Sequence, residues 1–131
     1  MELKNKIIVI TGAGSGIGRA LAIRFHAEGA KAVVSVDINL ENAQETASMV
    51  GGVAMSADVA KEEDILRVIE TTETDIGPID LFCSNAGVGM GEDLTLMMIM
   101  IMVMKMMMAM LSMKMVPMIV IIMLMTIMII I

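Results

Sequence analysis

Thr11-Gly12-Ala13-Gly14-Ser15-Gly16-Ile17-Gly18 holds four glycines in seven residues. A phosphate can reach the backbone N–H groups of a helix start only where no Cβ stands in the way, and glycine removes that obstacle. The spacing is T-G-x-x-x-G-x-G. Gly12, Gly16 and Gly18 are its fixed points, with Ser15 and Ile17 between them. This differs from the G-x-G-x-x-G spacing that serves the same purpose in many dinucleotide sites. A tight turn alone needs fewer glycines, so the stretch reads as a diphosphate cradle.

Asp37 lies 25 residues after Gly12, at the end of the next β-branched run. An acid there can accept hydrogen bonds from the adenosine ribose hydroxyls and repels a 2′-phosphate. Neither Ser15 nor Ile38 is a base that would welcome that phosphate, so the pattern favours NAD over NADP. Asp58-Val59 and Asn85-Ala86-Gly87 each follow a further apolar run. Such positions are strand C-terminal ends, the side on which open α/β sheets bind ligands. Taken singly, Asp58 could be a helix cap and Asn85-Ala86-Gly87 only a turn.

Four β-branched runs carry these residues: Ile7–Thr11, Ala32–Asp37, Val53–Asp58 and Ile79–Ser84. Their starts lie about 20–26 residues apart, the spacing of βαβ units. Between them lie three helical stripes: Ile17, Ala20, Leu21 and Phe25; Leu40, Ala43, Ala47 and Val50; and Ile65, Val68, Ile69 and Ile76. Glu62, Glu63 and Asp64 suit the positive end of the third helix, and Glu63 and Arg67 are spaced for an i,i+4 pair. The expected architecture is α/β: a doubly wound parallel sheet, β-α-β-α-β-α-β, half of a Rossmann fold with strand order 3-2-1-4.

Taken in order, the glycine motif at 11–18, Asp37, Asp58-Val59 and Asn85-Ala86-Gly87 resemble the short-chain dehydrogenase/reductase family. The resemblance covers residues 1 to about 95. It implies that Gly12 to Gly18 cradle the cofactor diphosphate and that Asp37 holds the adenosine ribose. It implies further that Asp58 and Val59 contact the adenine, and that Asn85, Ala86 and Gly87 support the central sheet and border the cofactor ribose. The catalytic set that the family carries further along, an Asn, a Ser and a Tyr-x-x-x-Lys, has no counterpart here. The sequence has no Tyr, no Asn after Asn85, and only Ser112 among its last residues.

Carbonyl reduction by hydride needs a proton donor at the developing alkoxide, and Met and Ile cannot supply one. The expectation is therefore an NAD(H)-binding portion of an oxidoreductase with no catalytic residue and no turnover of its own. His26 sits beside Arg24 and Glu28 on a solvent side, Cys83 reads as a small buried residue, and no metal site is expected.

Residues 1–96 carry all fifteen acids against seven bases, a net charge of −8. That charge argues against nucleic acid or an anionic membrane surface as partner. One cysteine permits no intrachain disulfide, which with the N-terminal apolar run too short for a leader suggests a cytoplasmic setting. Residues 97–131 contrast with this: 30 of 35 are Met, Ile, Val, Leu or Ala, without period, cap, glycine or acid. The expected division is a dinucleotide-binding domain at 1–95 and a low-complexity hydrophobic tail at 96–131. The tail leaves the fourth strand's edge open and drives self-association through windows such as Ile119–Ile122. The alternative is a non-catalytic nucleotide-binding module whose tail anchors it to a membrane or partner, a reading weakened by Lys105 and Lys114.

Overall fold

Ile7-Ile-Val-Ile-Thr11 is β-branched throughout and buried at every residue, which makes the first strand, β1 (Ile7–Thr11), a central one. The computed structural model describes residues 2–86 and the backbone of 119–122. After β1 come α1 (Gly16–Ala27), β2 (Ala32–Asp37), α2 (Leu40–Val50), β3 (Val53–Ser56), α3 (Glu62–Asp75), β4 (Leu81–Ser84) and β5 (Ile119–Ile122). The strands run β3-β2-β1-β4-β5, all pairs parallel. The doubly wound body and its 3-2-1-4 order match the sequence reading. The third and fourth strands are shorter than expected, ending at Ser56 and starting at Leu81.

Strand alternation splits the core in two. Val9, Val34, Val36 and Phe82 face α3 and pack with Ile65, Val68 and Ile69. Ile8, Ile10, Val33, Leu81 and Cys83 face the other way, toward Ala22 of α1 and Val50 of α2. The second and third helical stripes hold except at Leu40. In the first, both Ile17 and Ala20 are exposed, Leu21 and Phe25 are half-buried, and Ala22 is buried in their place. Ile17 and Leu40, expected inside, are 45% and 43% exposed. Both lie in the first turn of their helices. Gly18 and Thr46 are buried instead. The expected Glu63–Arg67 pair is replaced by Arg67–Asp64 at 3.3 Å, because the Arg67 guanidinium also donates to the Ser56 carbonyl at 2.7 Å on the edge strand.

The open edge expected at β4 is the main correction. Ile119–Ile122 pairs with β4 in parallel, from Leu81↔Ile119 to Ser84↔Ile122. A run of four β-branched residues has the intrinsic preference for a strand. The 34 residues between Ser84 and Ile119 are ample for the crossover a parallel neighbour requires. The window read as a site of self-association thus serves the sheet in cis. The fourth helix expected from Glu92, and the rest of the Met/Ile stretch, lie outside the described residues.

Candidate cofactor-binding site

The site forms where β1, β2 and β4 end side by side. The Thr11 hydroxyl ties the first and last of these together: its Oγ1 accepts the N–H groups of Asn85 at 3.1 Å and Ala86 at 3.3 Å, and donates to the Cys83 carbonyl at 3.4 Å. Gly12, at φ +68°, packs against that junction so closely that a Cβ would lie 2.8 Å from the Ala86 Cα. Gly18 is buried against the Gly12 carbonyl and the Asn85 amide, so the first turn of α1 can settle onto the loop. At both positions close packing leaves no room for a side chain.

The middle of the loop is fastened from the α2 side. The Ala13 N–H donates to the Val36 carbonyl at 3.0 Å, and the Gly14 N–H to Asp37 Oδ2 at 2.9 Å. The Thr46 hydroxyl donates to the Ala13 carbonyl at 2.8 Å. Arg19 donates from Nη2 to the Gly14 carbonyl at 2.6 Å and to Glu45 Oε2 at 2.7 Å, and from Nε to Thr46 Oγ1 at 3.0 Å. Gly14 has no room for a side chain, since a Cβ would lie 2.7 Å from the Asp37 carboxylate and from the Asn42 Cβ. Asp37 Oδ1 accepts the Asn39 N–H at 3.0 Å, which leaves each carboxylate oxygen a further lone pair.

The outer part of the loop is left open. Ser15, Gly16 and Ile17 are exposed. Ser15 is the N-cap of α1, yet its side chain caps nothing. Among the described residues nothing accepts the N–H groups of Ser15, Gly16, Ile17 or Gly18. Gly16, at φ +53°, has nothing within 4 Å of where a Cβ would stand. Four uncommitted donors at the positive end of a helix, with clear space above, suit an anion. The arrangement fits a dinucleotide: N–H groups for the diphosphate and a carboxylate at the rim for ribose hydroxyls.

The remaining expected residues fall on the same edge of the sheet. Asp58 follows β3. Its N–H donates to Asp64 Oδ2 at 2.8 Å and its Oδ1 accepts the Ala60 N–H at 3.0 Å, so it builds a turn and does not cap α3. Asp64 is held below the ordinary carboxylate range chiefly by that Asp58 N–H. Val59 is half-buried against the core on the α3 side. Asn85 Oδ1 is a buried acceptor with no partner among the described residues, beside Gly12 and Gly18. Gly87 lies outside the described residues. Cys83, one residue below the site, is buried, and its thiol is pushed up to about 11. His26 is exposed on α1. No set of three His, Cys, Asp or Glu side chains is placed to hold a metal among the described residues. Gly14, Arg19 and Thr46 were not singled out from the sequence. Gly14 was readable as the surplus glycine of the motif; the other two carry no local signal.

Comparison with known proteins settles the family. The model of the short chain dehydrogenase family matches residues 6–125. The chain belongs to the short-chain dehydrogenase family. The match reaches well past Thr95, through the Met/Ile stretch and the strand at Ile119–Ile122. Among curated relatives, the chain is 39% identical over 93 residues to tropinone reductase-like 1 of Erythroxylum coca, covering 70% of this chain and 34% of that protein. It is 42% identical over 90 residues to the (+)-cis,cis-nepetalactol synthase NEPS3 of Nepeta racemosa, covering 66% and 33%. Among solved structures it is similar to a hydroxysteroid dehydrogenase from Escherichia coli, with a TM-score of 0.65 and 31% identity over 71% of this chain and 40% of that one. It is similar also to a ribose-5-phosphate isomerase from Brucella melitensis, with a TM-score of 0.63 and 34% identity over 66% and 34%. The chain spans about a third of the length of the curated relatives it matches. Membership of this family implies a nicotinamide dinucleotide as cofactor. No helix among the described residues is long and apolar enough to cross a membrane.

Proposed function

We propose that this chain is the NAD(H)-binding part of a short-chain dehydrogenase that moves hydride between nicotinamide and an alcohol or carbonyl. On this reading, Gly12, Ser15, Gly16, Ile17 and Gly18 form the diphosphate cradle, with the free N–H groups of Ser15 to Gly18 as its donors. Asp37 takes the adenosine ribose, Asp58 and Val59 border the adenine, and Asn85, Ala86 and Gly87 border the second ribose. The observation that carries the reading is the juxtaposition of the uncommitted N–H groups at 15–18 with the Asp37 carboxylate. Asp37 makes the preference NAD, since a 2′-phosphate would meet its charge, and Arg19, the base nearest the loop, is already paired with Glu45.

Bound nicotinamide would supply or take the hydride. This chain's residues bind and orient it, and the sequence has no tyrosine to exchange the proton. The chain alone is therefore proposed to bind cofactor without turnover. The residues up to about 95 carry the binding function, and the cytoplasm is the compartment their acidic charge and single buried thiol suit. The substrate is not set by this segment, since a reductase-like protein, a synthase and a dehydrogenase all share its pattern.

The test is titration of the full chain with NADH and NADPH, followed by nicotinamide fluorescence. Tighter binding of NADH is expected. Equal affinities or a preference for NADPH would remove the role given to Asp37, and no binding of either would remove the function itself.

A further inference from the structure

Peptide planarity carries the cradle's geometry one step outward. The Gly14 carbonyl and the Ser15 N–H belong to one rigid peptide plane and point in opposite directions. Whatever holds the carbonyl therefore aims the amide. The Gly14 carbonyl is held by Arg19 Nη2 at 2.6 Å, a charge-assisted bond. The guanidinium is itself fixed on α2, by Glu45 Oε2 at 2.7 Å and Thr46 Oγ1 at 3.0 Å. Three bonds from one planar fork leave it little freedom, and its side chain is 26% exposed. The preceding plane is set the same way: the Thr46 hydroxyl holds the Ala13 carbonyl, and the Gly14 N–H then points at Asp37 Oδ2.

We infer that Arg19 is a positioning residue for the cofactor diphosphate, acting by fixing the Gly14–Ser15 peptide so that the Ser15 N–H faces the anion. The inference rests on the cradle reading given above and adds a residue outside it. Without Arg19 the Gly14 carbonyl loses its partner. Glycine permits both orientations of that peptide, one of which turns a carbonyl oxygen toward the phosphate. Arg19 contributes no net charge to the site, because Glu45 balances it.

The experiment measures binding of ADP and of adenosine to the full chain and to its Arg19→Met and Arg19→Lys variants. Melting of each ligand-free protein is followed alongside. Adenosine has no phosphate and reports the ribose and adenine contacts alone. Arg19→Met should weaken ADP binding about tenfold while leaving adenosine binding nearly unchanged, with a modest drop in melting temperature from the bonds it loses. Arg19→Lys keeps the charge but cannot make the three-way fork, so its ADP affinity should fall part of the way. Unchanged ADP affinity in Arg19→Met overturns the inference. So does an equal loss for ADP and adenosine, which would make Arg19 a general support of the fold. Full recovery in Arg19→Lys overturns it as well, in favour of charge alone. Where Arg19→Met does not fold, the Arg19→Lys result decides. A wild-type chain that binds no ADP would instead sink the cradle reading, a failure visible before any variant is made.

Discussion

Helices α1 and α2 lie on the same face of the sheet and begin at the same rim, yet their starts are finished differently. At α2, Asn39 is the N-cap, and its side chain accepts the Asn42 N–H at 3.2 Å. A Glu in the first turn completes an ordinary helix start. At α1, Ser15 stands in the same position with a side chain equally able to cap, and it makes no such bond. There the protein spends its polar groups on the carbonyls of the loop, through Thr46 and Arg19, and leaves the amides free. A missing side-chain cap is not by itself the difference, since Lys61 at the start of α3 makes none either. What sets α1 apart is that the loop carbonyls before it are held from α2 while its amides stay free, as the proposed cradle requires.

The largest effect should come from closing the open start. Gly16→Val places a branched side chain in the one clear space above the loop and forces a φ that valine rarely adopts. NADH binding should fall at least about a hundredfold, while stability drops by only about 1–2 kcal/mol from backbone strain. Near-normal binding by this variant would mean the cradle lies elsewhere. The capped start should behave in reverse. Asn39→Ala should cost roughly 1 kcal/mol of stability, measured by urea unfolding, with little change in NADH affinity because the Asn39 N–H to Asp37 remains. A large loss of affinity there would erase the contrast between the two helices.

A control lies at the far end of the sheet, away from both helix starts. Asp80 accepts the Ile7 N–H at 2.9 Å and pairs with Lys6 at 3.1 Å. The Ile7 N–H chiefly holds its carboxyl below the ordinary value of 3.8. Because the folded pKa is the lower one, its contribution to stability is complete above about 3.8 and is lost as pH falls through the folded value. Acid unfolding below that point should be blunted in Asp80→Asn, which is less stable at neutral pH. At neutral pH its NADH affinity should match the parent's.

Much of this architecture was readable from residue type and spacing. Ile7–Ile10 and Val33–Val34, apolar on both faces, read as central strands, and the glycines at 12, 16 and 18 fall where a helix start meets a loop. What escaped were contacts with no period. Arg19 meets Glu45 and Thr46 across 26 and 27 residues of sequence, and a surface-type base at the start of a helix carries no sign of its partner. Ile17, Ala20 and Leu40 followed the helical spacing but are exposed, Ile17 and Leu40 in the first turns of their helices. The strand at Ile119–Ile122 was hidden by its setting, since a window inside a Met/Ile run shows no boundary even where its β-branched residues favour pairing. That edge gives the smallest expected effect of the set. Val120→Pro and Ile121→Pro each remove one N–H, and one of the two faces β4. That one should loosen β5 and speed alkylation of Cys83, which stands opposite Ile121 and whose buried thiol, pushed up to about 11, should otherwise react slowly at pH 8. Equal, slow alkylation in both variants would show that β5 does not cover this edge.

The contrast between the two helix starts is tested most directly by following backbone amide resonances of the full chain during titration with NAD. The account predicts that the amides of Ser15, Gly16, Ile17 and Gly18 shift most as the diphosphate takes up their free N–H groups. The Asn42 amide, already bonded to Asn39, should stay close to its starting position. Binding of NAD that shifts Asn42 and leaves residues 15–18 unmoved would contradict it.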